Sequence, residues 1–205
     1  MGYCGPGTPR LIASKVRPEM RMTNGPFILP RPLLALLCSN RCPGNLVLLF
    51  YELARRLRDE RIATIGGFQT PMELEALDFL IRGRQPVIWV PSWSRSEKGL
   101  KATQRQALSE RGLVLLNVLD PPVRRPSRGS GERRNRWIVE NSDAVLLVHA
   151  NPGGLTEVTG QRAHQVGKPV WTLADPANAH LAPIEHLTVD DIVVRMRALA
   201  REEGS

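Results

Sequence analysis

Short apolar blocks alternate along the chain with segments whose apolar residues recur every three to four positions. Leu33–Cys38 (LLALLC), Ile62–Ile65, Pro86–Val90 (PVIWV), Leu113–Val118, Ala144–His149 and Pro169–Leu173 are the apolar blocks. They are too short for helices and too continuous to be half exposed, so they predict strands buried on both faces of a parallel sheet. Val145–Val148 is placed centrally. Helical spacing predicts helices over Leu46–Arg58, Pro71–Arg82, Glu97–Arg111, Thr156–Val166 and Leu187–Arg201. Gly83, Gly112 and Gly167-Lys168 close three of them, and Thr188 with Asp190 and Asp191 opens the last. A further short helix, entered at Arg134, follows a loop expected over Asp120–Arg133.

Strand and helix therefore alternate throughout. That order predicts an α/β fold: a Rossmann-like, doubly wound, mainly parallel sheet with helices on both faces. Residues 1–30 are rich in Gly, Pro and Arg and are expected to form an N-terminal arm or tail. Residues 31–205 are expected to be one domain including the C-terminal helix.

The charge balance narrows the class of partner. Net charge is +8 and the pI near 10.2, which favours a polyanion: nucleic acid, nucleotide or anionic membrane. No run of about 18 apolar residues is present, so no membrane span is expected. Cys4, Cys38 and Cys42 are odd in number and lack zinc-finger spacing, which points to reduced thiols, a cytoplasmic location and no metal. No cofactor is implied.

Candidate chemistry gathers at strand ends. In Ser39-Asn40-Arg41, after the first strand, a hydroxyl, an amide and a helix N-terminus can hold a phosphate; the alternative is an ordinary turn with a capping serine. Gly66-Gly67-Phe68-Gln69-Thr70 permits close approach to the backbone but is not a dinucleotide fingerprint. Phe68 is either a base-stacking residue or a core residue. Arg124, Arg125, Arg128, Arg133, Arg134 and Arg136 form a basic stretch opposed by Glu132 alone, suited to phosphates or else a solvated loop. Arg134, Asn135 and Arg136 would then stand at a helix entrance by the C-terminal sheet edge, with Trp137 stacking or core-packed. In Asn151–Thr159, Gly153 and Gly154 allow a phosphate to approach, and Thr156 is the expected cap. Glu73 and Glu157 are the carboxylates near these loops, able to act on a glycosidic bond or to fix arginines. The four histidines show no ligand spacing and are expected to be structural or exposed.

Taken in order, these loops resemble the DprA/Smf family of DNA-processing proteins, within a Rossmann-like superfamily shared with LOG nucleotide hydrolases. Ser39-Asn40-Arg41 is similar to that family's glycine-serine-arginine turn. Gly66-Gly67 leading into Pro71-Met72-Glu73 is similar to its next loop. Arg134-Asn135-Arg136 matches its arginine-asparagine-arginine signature, and Ser142–Val145, Thr156–Thr159 and Gly167–Val170 continue the likeness. The chain departs at Asn40 (serine in the family), Glu73 (aspartate) and Leu77 (histidine), and the family's N-terminal helical domain and winged helix are not expected before residue 33 or after residue 174. The resemblance implies single-stranded DNA binding in a basic pocket, a homodimer, a role in DNA uptake or recombination, and contact with a RecA-type recombinase. The alternatives are a nucleotide N-glycosidase (phosphoribohydrolase), in which Glu157 is the catalytic candidate, and a nucleotide-sensing domain. Pro152-Gly153-Gly154-Leu155-Thr156-Glu157 is a shortened version of the hydrolase loop.

Overall fold

A computed structural model describes residues 20–22, 25–110 and 112–202. Residues 1–19 of the expected arm lie outside the described residues. Two short strands come first, β1 (Met20–Met22) and β2 (Gly25–Phe27), paired antiparallel. The domain then runs β3 (Leu33–Cys38), α1 (Gly44–Asp59), β4 (Ala63–Gly66), α2 (Pro71–Leu80), β5 (Val87–Trp89), α3 (Ala102–Ser109), β6 (Leu113–Leu115), α4 (Arg128–Glu140), β7 (Ala144–His149), α5 (Leu155–Gln165), β8 (Val170–Leu173), β9 (Glu185–Leu187) and α6 (Val189–Glu202). Strands β3 to β9 form one seven-stranded parallel sheet in the order β6-β5-β4-β3-β7-β8-β9. The expected doubly wound Rossmann-like sheet is thus the one observed.

The strands are uniformly apolar because both faces are covered. Leu34, Leu36, Leu146, Val148 and Trp89 meet Phe50 and Leu53 of α1, Leu77 and Leu80 of α2, and Ile192 and Met196 of α6. Their neighbours Leu33, Ala35, Leu37, Val145 and Leu147 point the other way, toward Ile138 of α4 and Ala163 of α5. This period-two alternation splits one apolar run between two cores. Helix α5 lies so close that a Cβ on Gly160 would stand 2.3 Å from Leu147 Cδ1. Among the described residues no helix is long and apolar enough to cross a membrane.

Three expected boundaries move. The expected loop over Asp120–Arg133 ends at Ser127, because α4 already begins at Arg128. Ser127 Oγ accepts from Ser130 N and Ser130 Oγ accepts from Ser127 N, a reciprocal cap. Arg134 and Arg136 are consequently inside the helix, not at its entrance. Helix α3 starts at Ala102, after a 3-10 turn at Glu97–Gly99. Leu187 belongs to β9 rather than to the C-terminal helix. Thr188 does cap α6, accepting from Asp191 N while Asp191 Oδ2 accepts from Thr188 N.

Candidate functional site

The sheet order fixes where a site can form. The chain winds outward from β3 to β6, then returns to the other side of β3 with β7. A crevice opens where such a sheet reverses direction, outside the carboxyl ends of the two strands. A cavity of about 500 Å³ occupies that place. Its walls are the β3 end (Cys38, Ser39, Asn40), the β4 loop (Gln69, Thr70, with Glu73), one face of α4 (Ser127, Arg128, Gly131, Arg134, Asn135) and the β7 loop (Asn151, Gly154, Leu155, Thr156). The α4 residues recur at helical spacing, so one face of that helix looks into the cavity.

At the floor, pairing of β3 with β7 shifts register between Leu37 and Cys38, so that Cys38 faces His149. Ser39 N then donates to His149 O at 2.9 Å, and Ser39 Oγ accepts from Asn151 N at 3.0 Å. The serine ties together two strand ends instead of capping α1, which has Pro43 at its N-cap and no side-chain cap. On the β4 side, Thr70 and Glu73 form a capping box at the start of α2. The buried Glu73 carboxylate accepts three backbone N–H groups: Cys38 N at 3.0 Å, Gln69 N at 2.9 Å and Thr70 N at 3.1 Å.

Arg134 is the principal charge of the site. It is 7% exposed, and Nη1 donates to Val90 O at 3.3 Å. Burial pulls its pKa below the usual guanidinium range, and the nearby Glu73 carboxylate opposes that fall. A Cβ on Gly67 would lie 1.2 Å from Arg134 Nη1, so the glycine is the seat of the guanidinium. Arg134 Nε and Asn135 Oδ1 are buried with no hydrogen-bond partner, although both residues line the cavity. Buried polar atoms are rarely left unpaired, so the hydrogen bonding of this wall is incomplete.

Helix α5 starts at the same cavity. Its N-cap is Gly154, no side chain caps it, and Thr156 is buried in the first turn rather than capping as expected. The first amides of a helix have no intrahelical acceptor and carry the positive end of its dipole. Cavity-lining Leu155 and Thr156 therefore present anion-binding N–H groups opposite Arg128 and Arg134.

The structure thus brings together Ser39, Asn40, Gln69, Thr70, Arg134, Asn135, Gly154 and Thr156 from the residues expected by sequence. It leaves others outside. Phe68 is 1% exposed and packs in the core, with φ of 41°. Gly66 and Gly67 do allow close approach, but to the Phe68 ring and the Arg134 guanidinium rather than to a ligand. Arg41, Arg133, Arg136 and Gly153 are exposed and do not line the cavity. Trp137 is half-buried against the core around Ile138. Glu157 also lies outside the lining, its Oε2 accepting from Gly153 N at 2.6 Å.

Sequence reasoning missed Arg128 as part of a helix, and it missed Asn151 and His149. It also missed the β5 loop, held on one side by Ser92 Oγ donating to Gln69 Oε1 at 2.8 Å. On its other side Ser94 N donates to Val123 O at 2.7 Å. This loop carries half-buried Trp93, and the Arg95 guanidinium stands 5.6 Å from its ring centroid and 4.4 Å from that of Trp89. Spacing gave no signal for any of these, because each acts through residues distant in sequence.

The two described thiols differ. The buried Cys38 thiol is pushed far up by its hydrogen bond with Cys42 and by burial, whereas that same bond holds the Cys42 thiol below its usual range. Half-buried Cys42 is therefore expected to alkylate first, and to go on reacting as pH falls below the ordinary thiol range. Mass-spectrometric mapping of iodoacetamide adducts across pH checks this. Cys38→Ser, which weakens the bond, should move the Cys42 profile toward higher pH.

No protein-family model matches the chain, and no curated protein matches it either. Solved structures do match in fold. DNA processing protein A from Streptococcus pneumoniae is similar at a TM-score of 0.63 and 17% identity, over 80% of this chain and 62% of that one. This chain therefore spans less than two thirds of that protein. DNA processing protein A from Helicobacter pylori, described for its single-stranded DNA binding mode, is similar at 0.63 and 15% identity, over 81% of this chain and 80% of that one. The molybdenum cofactor carrier protein of Chlamydomonas reinhardtii is similar at 0.58 and 15% identity, over 84% and 99%. The fold is a DprA-like Rossmann fold, shared with molybdenum cofactor carriers.

Proposed function

We propose that the protein binds single-stranded DNA, seating a backbone phosphate in the cavity between β3, β4, α4 and α5. The observation that carries this reading is the buried Arg134, with an unpartnered Nε, facing the uncapped N-terminus of α5 across a cavity. Arg128 adds a second cation, and Ser39 is rigidly placed below them. A phosphodiester supplies the acceptors that these donors lack. Stacking of bases on Trp93 and Arg95, outside the cavity, would carry little sequence preference. Dimerisation, recombinase contact and a part in DNA uptake or recombination remain attached to this reading as proposals, supported by the family resemblance. Residues 31–205 acting as one domain with an N-terminal arm belong to it too.

A second reading rests on size. A cavity of about 500 Å³ suits a mononucleotide or another small phosphorylated ligand as well as one nucleotide of a strand. Binding rather than turnover fits better, because Glu157 turns back on its own loop.

Fluorescence anisotropy of a labelled oligothymidylate across a salt series tests the first reading. Micromolar or tighter binding that weakens with salt is expected. Arg128→Ala/Arg134→Lys should weaken it strongly and flatten the salt slope. Stabilisation by mononucleotides in thermal shift, with no oligonucleotide binding at low salt, would replace it with the second reading.

A further inference from the structure

Behind the cavity wall, against Asn151, lies a buried imidazole that the anion-binding reading does not use. His149 is 6% exposed, its Nδ1 2.9 Å from Asn178 Oδ1 and its Nε2 3.2 Å from Asn151 Oδ1. Fully buried Asn178 cannot turn over, since its Nδ2 donates to Val148 O at 3.0 Å and Leu173 O at 3.1 Å. Its Oδ1 must therefore accept, and His149 Nδ1 carries a hydrogen in either charge state. Only Nε2 is left to vary. A bare Nε2 accepts from the Asn151 amide and turns that residue's Oδ1 toward the cavity. A protonated Nε2 donates to Oδ1 and turns the Nδ2 donors toward the cavity. Asn151 lines the cavity, and its backbone N is held by Ser39 Oγ, so the choice concerns amide orientation alone.

We infer that His149 sets the hydrogen-bonding polarity of Asn151 through its Nε2 proton, and that an anion entering the cavity takes up one proton at this imidazole. The inference rests on the phosphate reading above and adds to it a positioning residue. An anion needs the donor end of Asn151, the donor end needs Oδ1 on Nε2, and that contact needs the imidazolium. Other titratable groups near the floor are Cys38 on β3, Cys42 beyond it, Asp175 and His180 around the 3-10 turn after β8, and Glu157 on α5. None of them hydrogen bonds the ring, and His180 Nε2 is engaged with Ala150 O at 2.8 Å. Because the bound state holds the extra proton, affinity rises as pH falls, by up to about tenfold per pH unit for one proton.

Nitrogen-15 spectra of the histidine rings and backbone amides in the whole chain, with and without inorganic phosphate or oligothymidylate, provide the test. The expected result is perturbation of the Leu155 and Thr156 amides together with protonation of His149 Nε2 at a pH where the free protein has it bare. His149→Gln, which has no ring proton to gain, should lose the pH slope of binding; should that variant not fold, the wild-type spectra decide alone. Perturbed amides with a bare Nε2 would overturn the inference and leave the phosphate reading standing. Unperturbed amides with both probes would overturn the two together.

Discussion

Glu73→Ala should lower the stability of the fold by about 3–5 kcal/mol, because a buried donor left without its acceptor costs about 1–3 kcal/mol. Removing the buried carboxylate leaves three backbone N–H groups, on Cys38, Gln69 and Thr70, without theirs. For a chain of this size that corresponds to a fall in Tm on the order of 10 °C. Glu73→Gln, which retains an acceptor oxygen but not the charge, should lie between. Differential scanning calorimetry of the three proteins measures it. A loss below about 1 kcal/mol for the alanine variant would mean that the three amides find other acceptors.

The second large effect is expected from a residue that does not itself line the cavity. Gly67→Ala places a methyl group where the Arg134 guanidinium lies, at 1.2 Å from Nη1. The guanidinium must leave the Val90 carbonyl and its position at the wall. Oligonucleotide affinity should fall about tenfold to a hundredfold, equivalent to losing one charge-assisted hydrogen bond of roughly 1.5–3 kcal/mol. Arg134→Ala should cause a loss of the same order, and adding Gly67→Ala to it should change affinity little further. Such non-additivity is the mark of two substitutions acting on one contact. Independent, additive losses would show that the glycine matters for some other reason.

The sheet was legible because burial on both faces writes each central strand as an unbroken apolar block. β3 and β7 were readable to the residue in this way. Glu185–Leu187 was not: two of its three residues are exposed, so it has no apolar signature. The start of α4 was hidden for the opposite reason. Its first nine residues, RGSGERRNR, have no apolar face, since that side of the helix borders the cavity and not the core. Composition there suggested a loop, and Arg134, Arg136 and Thr156 were misplaced within their elements. The Gly67 neighbour was equally opaque: a glycine pair announces close approach, but only the fold reveals that the approaching group is an arginine from α4. Asn151 and His149 carried no local pattern because their roles arise from Ser39 and Asn178, 112 and 29 residues away.

The sheet order carries one more consequence. Residues 33–115 build strands β3 to β6, residues 144–187 build β7 to β9, and the two halves join edge to edge along the single seam between β3 and β7. The cavity straddles that seam, with Ser39 and Thr70 on one bank and Asn151 and Thr156 on the other. Whatever occupies it works as a clasp between two sequence-contiguous halves, so occupancy and the cohesion of the whole sheet become one property, read out at a seam rather than at a surface.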